Sequence, residues 1–88
     1  MATLVIAYDL NKEDKRPNIV AEVKKKAWAR LSESFYAIET DETVEQVYAR
    51  FKQYLDNNDN LYVITLTRPW TGFGPKAVID WLTQRLGL

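Results

Sequence analysis

Thr3-Leu4-Val5-Ile6-Ala7-Tyr8, running straight into Asp9-Leu10-Asn11-Lys12-Glu13-Asp14, is the stretch whose reading decides the fold. An unbroken apolar run rich in β-branched residues, closed by turn formers, reads as a buried central strand feeding a loop. Working outward, Pro17 suits the first turn of a helix. Ile19, Val20, Val23 and Ala27 then recur at helical spacing opposite Glu22, Lys24 and Lys25, which predicts a helix from Pro17 to Trp28. Leu31 to Ile38 reads Leu-Ser-Glu-Ser-Phe-Tyr-Ala-Ile, with strand formers in its second half. Thr43-Val44-Glu45-Gln46 has the form of a capping box, and Val44, Val47, Tyr48, Phe51 and Leu55 continue it as an amphipathic helix. Asp56-Asn57-Asn58-Asp59-Asn60 is a turn cluster, and Leu61 to Leu66 reads as another buried strand. Pro69, Gly72, Gly74 and Pro75 break the chain. Val78, Leu82 and Leu86 then share one face of a last helix over Lys76 to Leu86, with Trp81 beside them and Gly87 at the C-cap position.

At 88 residues the chain is long enough for one core, so residues 1–88 are expected to form a single domain. A hydrophobic fraction of 47%, including 3 Trp, 5 Tyr and 3 Phe, is ample for that core and unlike a disordered tail. Without cysteine there is neither a disulfide framework nor a thiolate metal site, which suits a cytoplasmic setting. Met1-Ala2-Thr3 leads into the first strand without a basic region, and no apolar stretch approaches the ~20 residues of a membrane span, so no targeting or membrane segment is expected. The absence of histidine removes Ser-His-Asp catalysis, a histidine base and every histidine metal site. Chemistry is left to carboxylates, hydroxyls, amines or a hard metal ion. Twelve basic residues balance twelve acidic ones, so the monomer as a whole is not built for strong nonspecific phosphate binding.

The visible order of strand, helix, strand, helix, strand, helix lacks one strand of a ferredoxin-like unit. That strand has two places, a split of Ala29 to Thr40 or the stretch around Thr67 to Phe73, and the split is favoured: Trp28 to Leu31 finishes one strand, Ser34 to Glu39 forms the next, and a tight turn lies near Ser32-Glu33. The expected class is α+β, a ferredoxin-like βαββαβ sandwich with an additional C-terminal helix. The first and last strands are apolar on both faces, so the face without the first two helices needs a cover. A homodimer is expected to supply it, with the last helix contributing.

Three stretches resemble the CRISPR-associated protein 2 superfamily and the small SinR-like bacterial proteins grouped near it. Leu4-Val5-Ile6-Ala7-Tyr8-Asp9-Leu10-Asn11 looks like that family's opening strand ending in Tyr-Asp, and Ser34-Phe35-Tyr36-Ala37-Ile38 is similar to its Ser-aromatic strand. Leu55-Asp56-Asn57-Asn58-Asp59-Asn60 through Leu66, with Trp70-Thr71-Gly72-Phe73, is similar to the SinR-like branch. The resemblance implies dimerisation and either metal-dependent phosphodiester cleavage or a noncatalytic DNA-scaffolding role, with Asp9 as the metal-binding carboxylate. After Leu66 this chain departs from the CRISPR branch, where a swapped terminal strand is usual.

Asp9 ends a strand and opens a loop, a position that often presents a carboxylate to a cleft. Mg²⁺ bound by one or two carboxylates with water and substrate phosphate fits two Asp9 side chains facing across a two-fold axis. The plainer alternative is that Asp9 caps the Asn11-containing loop. Lys12, Lys15 and Arg16 stand near it as phosphate contacts, although Glu13 and Asp14 interrupt them as on an ordinary surface. Ser34 and Tyr36 offer hydroxyls from one face of their strand. Ser34 lacks a neighbouring base, so its catalytic part is to help hold phosphate. The leading expectation is a nucleic-acid-associated dimer that hydrolyses RNA or DNA with Mg²⁺. The alternative is a catalytically silent scaffold or toxin-antitoxin-type interaction module. Trp70 and Phe73 either pack under the terminal helix or stack on bases. The Asp56–Asn60 cluster lacks the glycine and closing glutamate of a calcium loop, with Leu61 and Thr67 in those places.

Overall fold

A computed structural model describes residues 1–87. Strands β1 (Ala2–Asp9), β2 (Ala27–Ser32), β3 (Phe35–Thr40) and β4 (Asn60–Thr65) alternate with helices α1 (Arg16–Val23), α2 (Val44–Lys52) and α3 (Lys76–Leu86). The sheet is antiparallel with order β2-β3-β1-β4, the arrangement of a ferredoxin-like βαββαβ unit, and α3 is the extra helix. β1 is paired on both edges: Ile6 stands opposite Tyr36 of β3 and Val63 of β4.

The missing strand lies where the split of the middle segment puts it. β2 and β3 are joined through Glu33-Ser34, and a bulge between Arg30 and Ser32 shifts their register by one residue. The first helix is shorter than the periodicity predicts. It stops at Val23, Lys24 to Lys26 form a turn, and Ala27 and Trp28 belong to β2, opposite Glu39 and Ile38. Helical spacing at Ala27 loses to sheet pairing because the edge of β3 gives this backbone a full ladder of partners. The capping box is formed: Gln46 N donates to Thr43 Oγ1 at 3.1 Å and Thr43 N donates to Gln46 Oε1 at 2.9 Å. At the other end of the chain Gly87 closes α3 with φ 77°, in the left-handed region that favours glycine, and its N–H donates to the Thr83 carbonyl.

Alternation along the strands separates two apolar layers. Leu4, Ile6 and Tyr8, with Tyr36 and Ile38, meet Ile19 and Val23 of α1 and Val47 and Phe51 of α2 in the main core. Val5, Ala29 and Ala37 face the other way and are buried, and α3 covers the β2–β3 side of that face through Leu82. Its cover stops short of β4, leaving Tyr62 and Ile64 61% and 57% exposed. Trp70 packs beneath the end of α3, its indole N–H donating to the Gly87 carbonyl at 2.6 Å, whereas Phe73 points wholly into solvent. Among the described residues no helix is long and apolar enough to cross a membrane.

Two polar networks fix the loops. Between α1 and α2, buried Glu22 accepts from Lys25 Nζ at 2.9 Å and Tyr54 Oη at 3.0 Å, and Arg50 bridges to Glu42 at 2.6 Å. Burial alone would raise the Glu22 pKa, but its hydrogen bonds and the Lys25 and Arg50 charges outweigh it and hold the pKa below the ordinary value. Beneath the β1–α1 loop, the wholly buried carboxylate of Asp59 accepts from Lys15 Nζ at 2.6 Å, from Asn11 N at 2.8 Å and from Asp56 N at 2.9 Å. These bonds, that from Lys15 first, lower the Asp59 pKa to about 2. The clamp ties the α2–β4 loop to the β1–α1 loop, far apart in sequence.

Two measurements check this account. Thr43→Ala removes one half of the capping box and is expected to cost about 1 kcal/mol in urea unfolding. Asp59 has a folded pKa below its ordinary 3.8, so its stabilisation is present above that pH and is lost as pH falls toward about 2. Asp59→Asn is therefore expected to lower stability at neutral pH and to flatten its fall between those two values. An unchanged acid profile would assign the acid sensitivity to other carboxylates.

Candidate nucleic-acid interface

β1 ends by presenting Tyr8 and Asp9 to opposite faces of the sheet. Tyr8 points toward the helices. Its ring stacks on Tyr36 with centroids 6.4 Å apart and planes 8° from parallel, and the Arg16 guanidinium lies 5.3 Å from its centroid. Arg16, at the start of α1, donates from Nη1 to Tyr8 Oη at 3.1 Å and to the Glu33 carbonyl at 2.8 Å, and from Nη2 to Ser34 Oγ at 3.1 Å. Its remaining edge forms a fork on Glu13, with Nε to Oε2 at 2.6 Å and Nη2 to Oε1 at 3.1 Å. All five guanidinium N–H groups thus have a partner. Three of these bonds fasten α1 to β1 and to the β2–β3 turn. The two to Glu13 end on a carboxylate that is 70% exposed, so this edge can exchange its partner for another anion.

The electrostatics follow from those contacts. The hydrogen bonds to Glu13 raise the Arg16 pKa and lower that of Glu13. Burial pushes the Tyr8 hydroxyl above its ordinary value against the opposing pull of Arg16, so Tyr8 is a neutral hydrogen-bonding group at physiological pH.

Of the residues singled out in the sequence, Arg16, Ser34 and Tyr36 come together around Tyr8. Lys15 is turned away into the Asp56–Asp59 clamp, with only 18% of its side chain exposed. Lys12 is exposed in the loop, with no side-chain hydrogen bond or ion pair among the described residues. Asp9 stands exposed on the other face, in line with Val5 and Ala7 and opposite Asn60 of β4, and among the described residues its carboxylate has no hydrogen bond or ion pair. A loop-capping role for Asp9 is therefore not what this geometry contains; the loop is capped by Asp59, which donates nothing and accepts from Asn11 N.

A single chain offers a hard cation little beyond Asp9. Among the described residues no group of three or more carboxylate, histidine or cysteine side chains gathers at one point. The donor set suits a hydrated Mg²⁺ that takes one carboxylate here and further oxygens from water, substrate or a second copy, and does not suit a closed protein cage. Trp28 and Arg30, which lie on β2 beside Tyr36, are not among the residues singled out in the sequence, where Trp28 stands both at the end of the first helix and at the start of the split strand. The lysine triplet followed by alternating Ala-Trp-Ala-Arg is the signal that would have found them.

No curated protein matches this chain. Among solved structures, a hypothetical protein, TT1823, from Thermus thermophilus superposes with a TM-score of 0.68 at 23% identity, over 84% of this chain and 94% of that one, and so shares its fold. The profile of the family described as CRISPR associated protein Cas2 matches residues 1–72, which hold the whole four-stranded sheet, Asp9, Arg16, Ser34 and Tyr36. The chain belongs to the CRISPR associated protein Cas2 family, with α3 added beyond the matched segment.

Proposed function

We propose that this protein works as a homodimer that binds nucleic acid at the β1–α1 end of the sheet and hydrolyses phosphodiesters there with Mg²⁺ held by Asp9. The observation that carries the reading is the contrast at that end. Asp9 is the exposed, unpaired carboxylate on one side, and Arg16 with Ser34 is the anion-binding fork on the other. Family membership supports the class of ligand. The dimer is supported by the sheet face that α3 leaves open, where exposed Tyr62 and Ile64 share the side of Asp9. Closing that face with a second copy about a two-fold axis removes apolar surface from water and turns one carboxylate into two.

Within this reading Asp9 would hold the metal, which supplies charge neutralisation at phosphate and an activated water. Arg16 receives a phosphate at the edge now occupied by Glu13, and Ser34 and Tyr8 keep the guanidinium oriented for it. Lys12 adds attraction at longer range. The competing reading is a catalytically silent scaffold or interaction module. One observation favours it: alternation sends Asp9 to the face opposite Arg16 and Ser34, so one chain does not bring carboxylate and fork to a common point.

Titrating Mg²⁺ or Mn²⁺ into the protein while following the Asp9 amide by NMR tests the metal site. Shifts at Asp9 that vanish in Asp9→Ala, with RNA or DNA cleavage lost at least about a hundredfold in that variant, are the expected outcome. No shift up to millimolar metal, with no cleavage when nucleic acid is present, leaves the silent module. Removing the competing carboxylate by Glu13→Gln is expected to tighten inorganic phosphate or oligonucleotide binding by about twofold to fivefold, an effect that shrinks with added salt. Equal binding by the two proteins would take the Arg16 fork out of the interface.

A further inference from the structure

The sheet carries a line of aromatic rings across three strands, each ring with a cation over it. Tyr8 of β1 stacks on Tyr36 of β3, and Trp28 of β2 follows at 6.0 Å, tilted by 55°. Arg16 covers Tyr8, Arg30 lies 6.0 Å from the Tyr36 centroid, and Lys24 Nζ lies 4.8 Å from that of Trp28. The two ends differ. Tyr8 and Tyr36 are buried, and Arg16 is paired with Glu13, whereas Trp28 is 39% exposed on an edge strand. Lys24 and Arg30 are exposed as well, and neither has a carboxylate within ion-pair distance among the described residues. Lys15, Arg16, Lys25 and Arg50 are neutralised at close range, so the cations left free for a ligand on this side of the sheet include Lys24 and Arg30. Lys24 lies over the part-exposed indole of Trp28, and Arg30 stands two residues further along the same strand, over Tyr36.

Tryptophan is large and seldom fully covered, and 39% of Trp28 is left exposed at the sheet edge, with Lys24 the group over its ring. An exposed indole with one cation over it and a second on the same strand suits an unpaired base with its phosphates: the base takes the place of Lys24 on the ring, and the phosphates meet Lys24 and Arg30.

We propose that Trp28, with Lys24 over its ring and Arg30 two residues along β2, is a stacking platform for one unpaired base of single-stranded nucleic acid, continuing the strip that begins at the Arg16 fork. This rests on the nucleic-acid reading above and is independent of metal and of cleavage. It names an unpaired base as the recognised group, since a base within a duplex has no free face to offer.

Trp28 reports on its own occupancy. Short oligo(dT) is titrated into the intact protein, following tryptophan fluorescence and, separately, affinity by anisotropy of a labelled oligonucleotide. The expected result is quenching that Trp28→Leu abolishes, affinity about tenfold weaker in Trp28→Leu, and affinity restored to within about threefold by Trp28→Tyr, which keeps a stacking ring. Arg30→Gln is expected to weaken binding and reduce its salt dependence. Circular dichroism of each variant separates a lost platform from a lost fold. Unchanged affinity in a folded Trp28→Leu overturns the platform while leaving nucleic-acid binding elsewhere intact. Equal quenching by polyglutamate or by a blunt duplex also overturns it, because the surface then reads charge alone. No binding of the oligonucleotide by the unaltered protein overturns both the platform and the reading on which it rests.

Discussion

β1 is hydrogen-bonded on both edges and apolar on both faces, and that double constraint organises everything else in the fold. A strand so placed has to be covered twice. Ile19 and Val23 of α1 with Val47 and Phe51 of α2 meet the face of Leu4, Ile6 and Tyr8, each large side chain worth about 1.5–3 kcal/mol when taken from water. The face of Val5 has no such pair of helices. α3 covers it beside β2 and β3 and leaves the β4 side open, so one structural requirement produces both the extra helix and the apolar surface proposed for a second copy.

Burial of the main core brings the charged loops close to one another, and several of their charges are paired there. Lys15 reaches Asp59 across the domain, and Glu22 receives Tyr54 and Lys25. Such pairs contribute geometry more than net stability, because each has to offset the loss of hydration on burial. Their consequence for binding is selective. Lys15 is committed to a wholly buried carboxylate, whereas the partner of Arg16 is exposed and replaceable. Neighbouring cations that look equivalent in the sequence therefore differ in what they can offer to a ligand.

The parts of this structure legible in the sequence are those set by local chemistry. The Thr43 capping box, the Gly87 cap and the β1 run each carry their cause within a few residues, and each forms as read. The fourth strand was recovered from topology, since a ferredoxin-like order has no place for an unpaired strand. What escaped depends on distant partners. The end of α1 is decided by the edge of β3, which captures Ala27 and Trp28, and the fate of Lys15 is decided by Asp59 on the far loop. Of the residues singled out in the sequence, Arg16 bonds Ser34 directly, and Tyr36 joins them through the ring of Tyr8. The part of Tyr8, which bonds Arg16 through its hydroxyl and stacks on Tyr36 through its ring, is not legible because a tyrosine in an apolar strand reads as packing.

The order Tyr8-Asp9 itself limits the chemistry. Adjacent residues on a strand point to opposite faces, so a hydroxyl serving Arg16 and a carboxylate available to a metal cannot both address the same side of the sheet. A ligand engaging both has to wrap around the end of β1, with its phosphates alternating between the fork and the open face. A flexible single strand does this readily, whereas a stiff duplex would have to bend sharply over one strand end. The same alternation places Tyr8, Tyr36 and Trp28 on the helix side and Tyr62 and Ile64 on the other. In the proposed function this puts nucleic-acid contact and self-association on opposite faces of one sheet, with Asp9 on the side of Tyr62 and Ile64 at the strand end where the two faces meet.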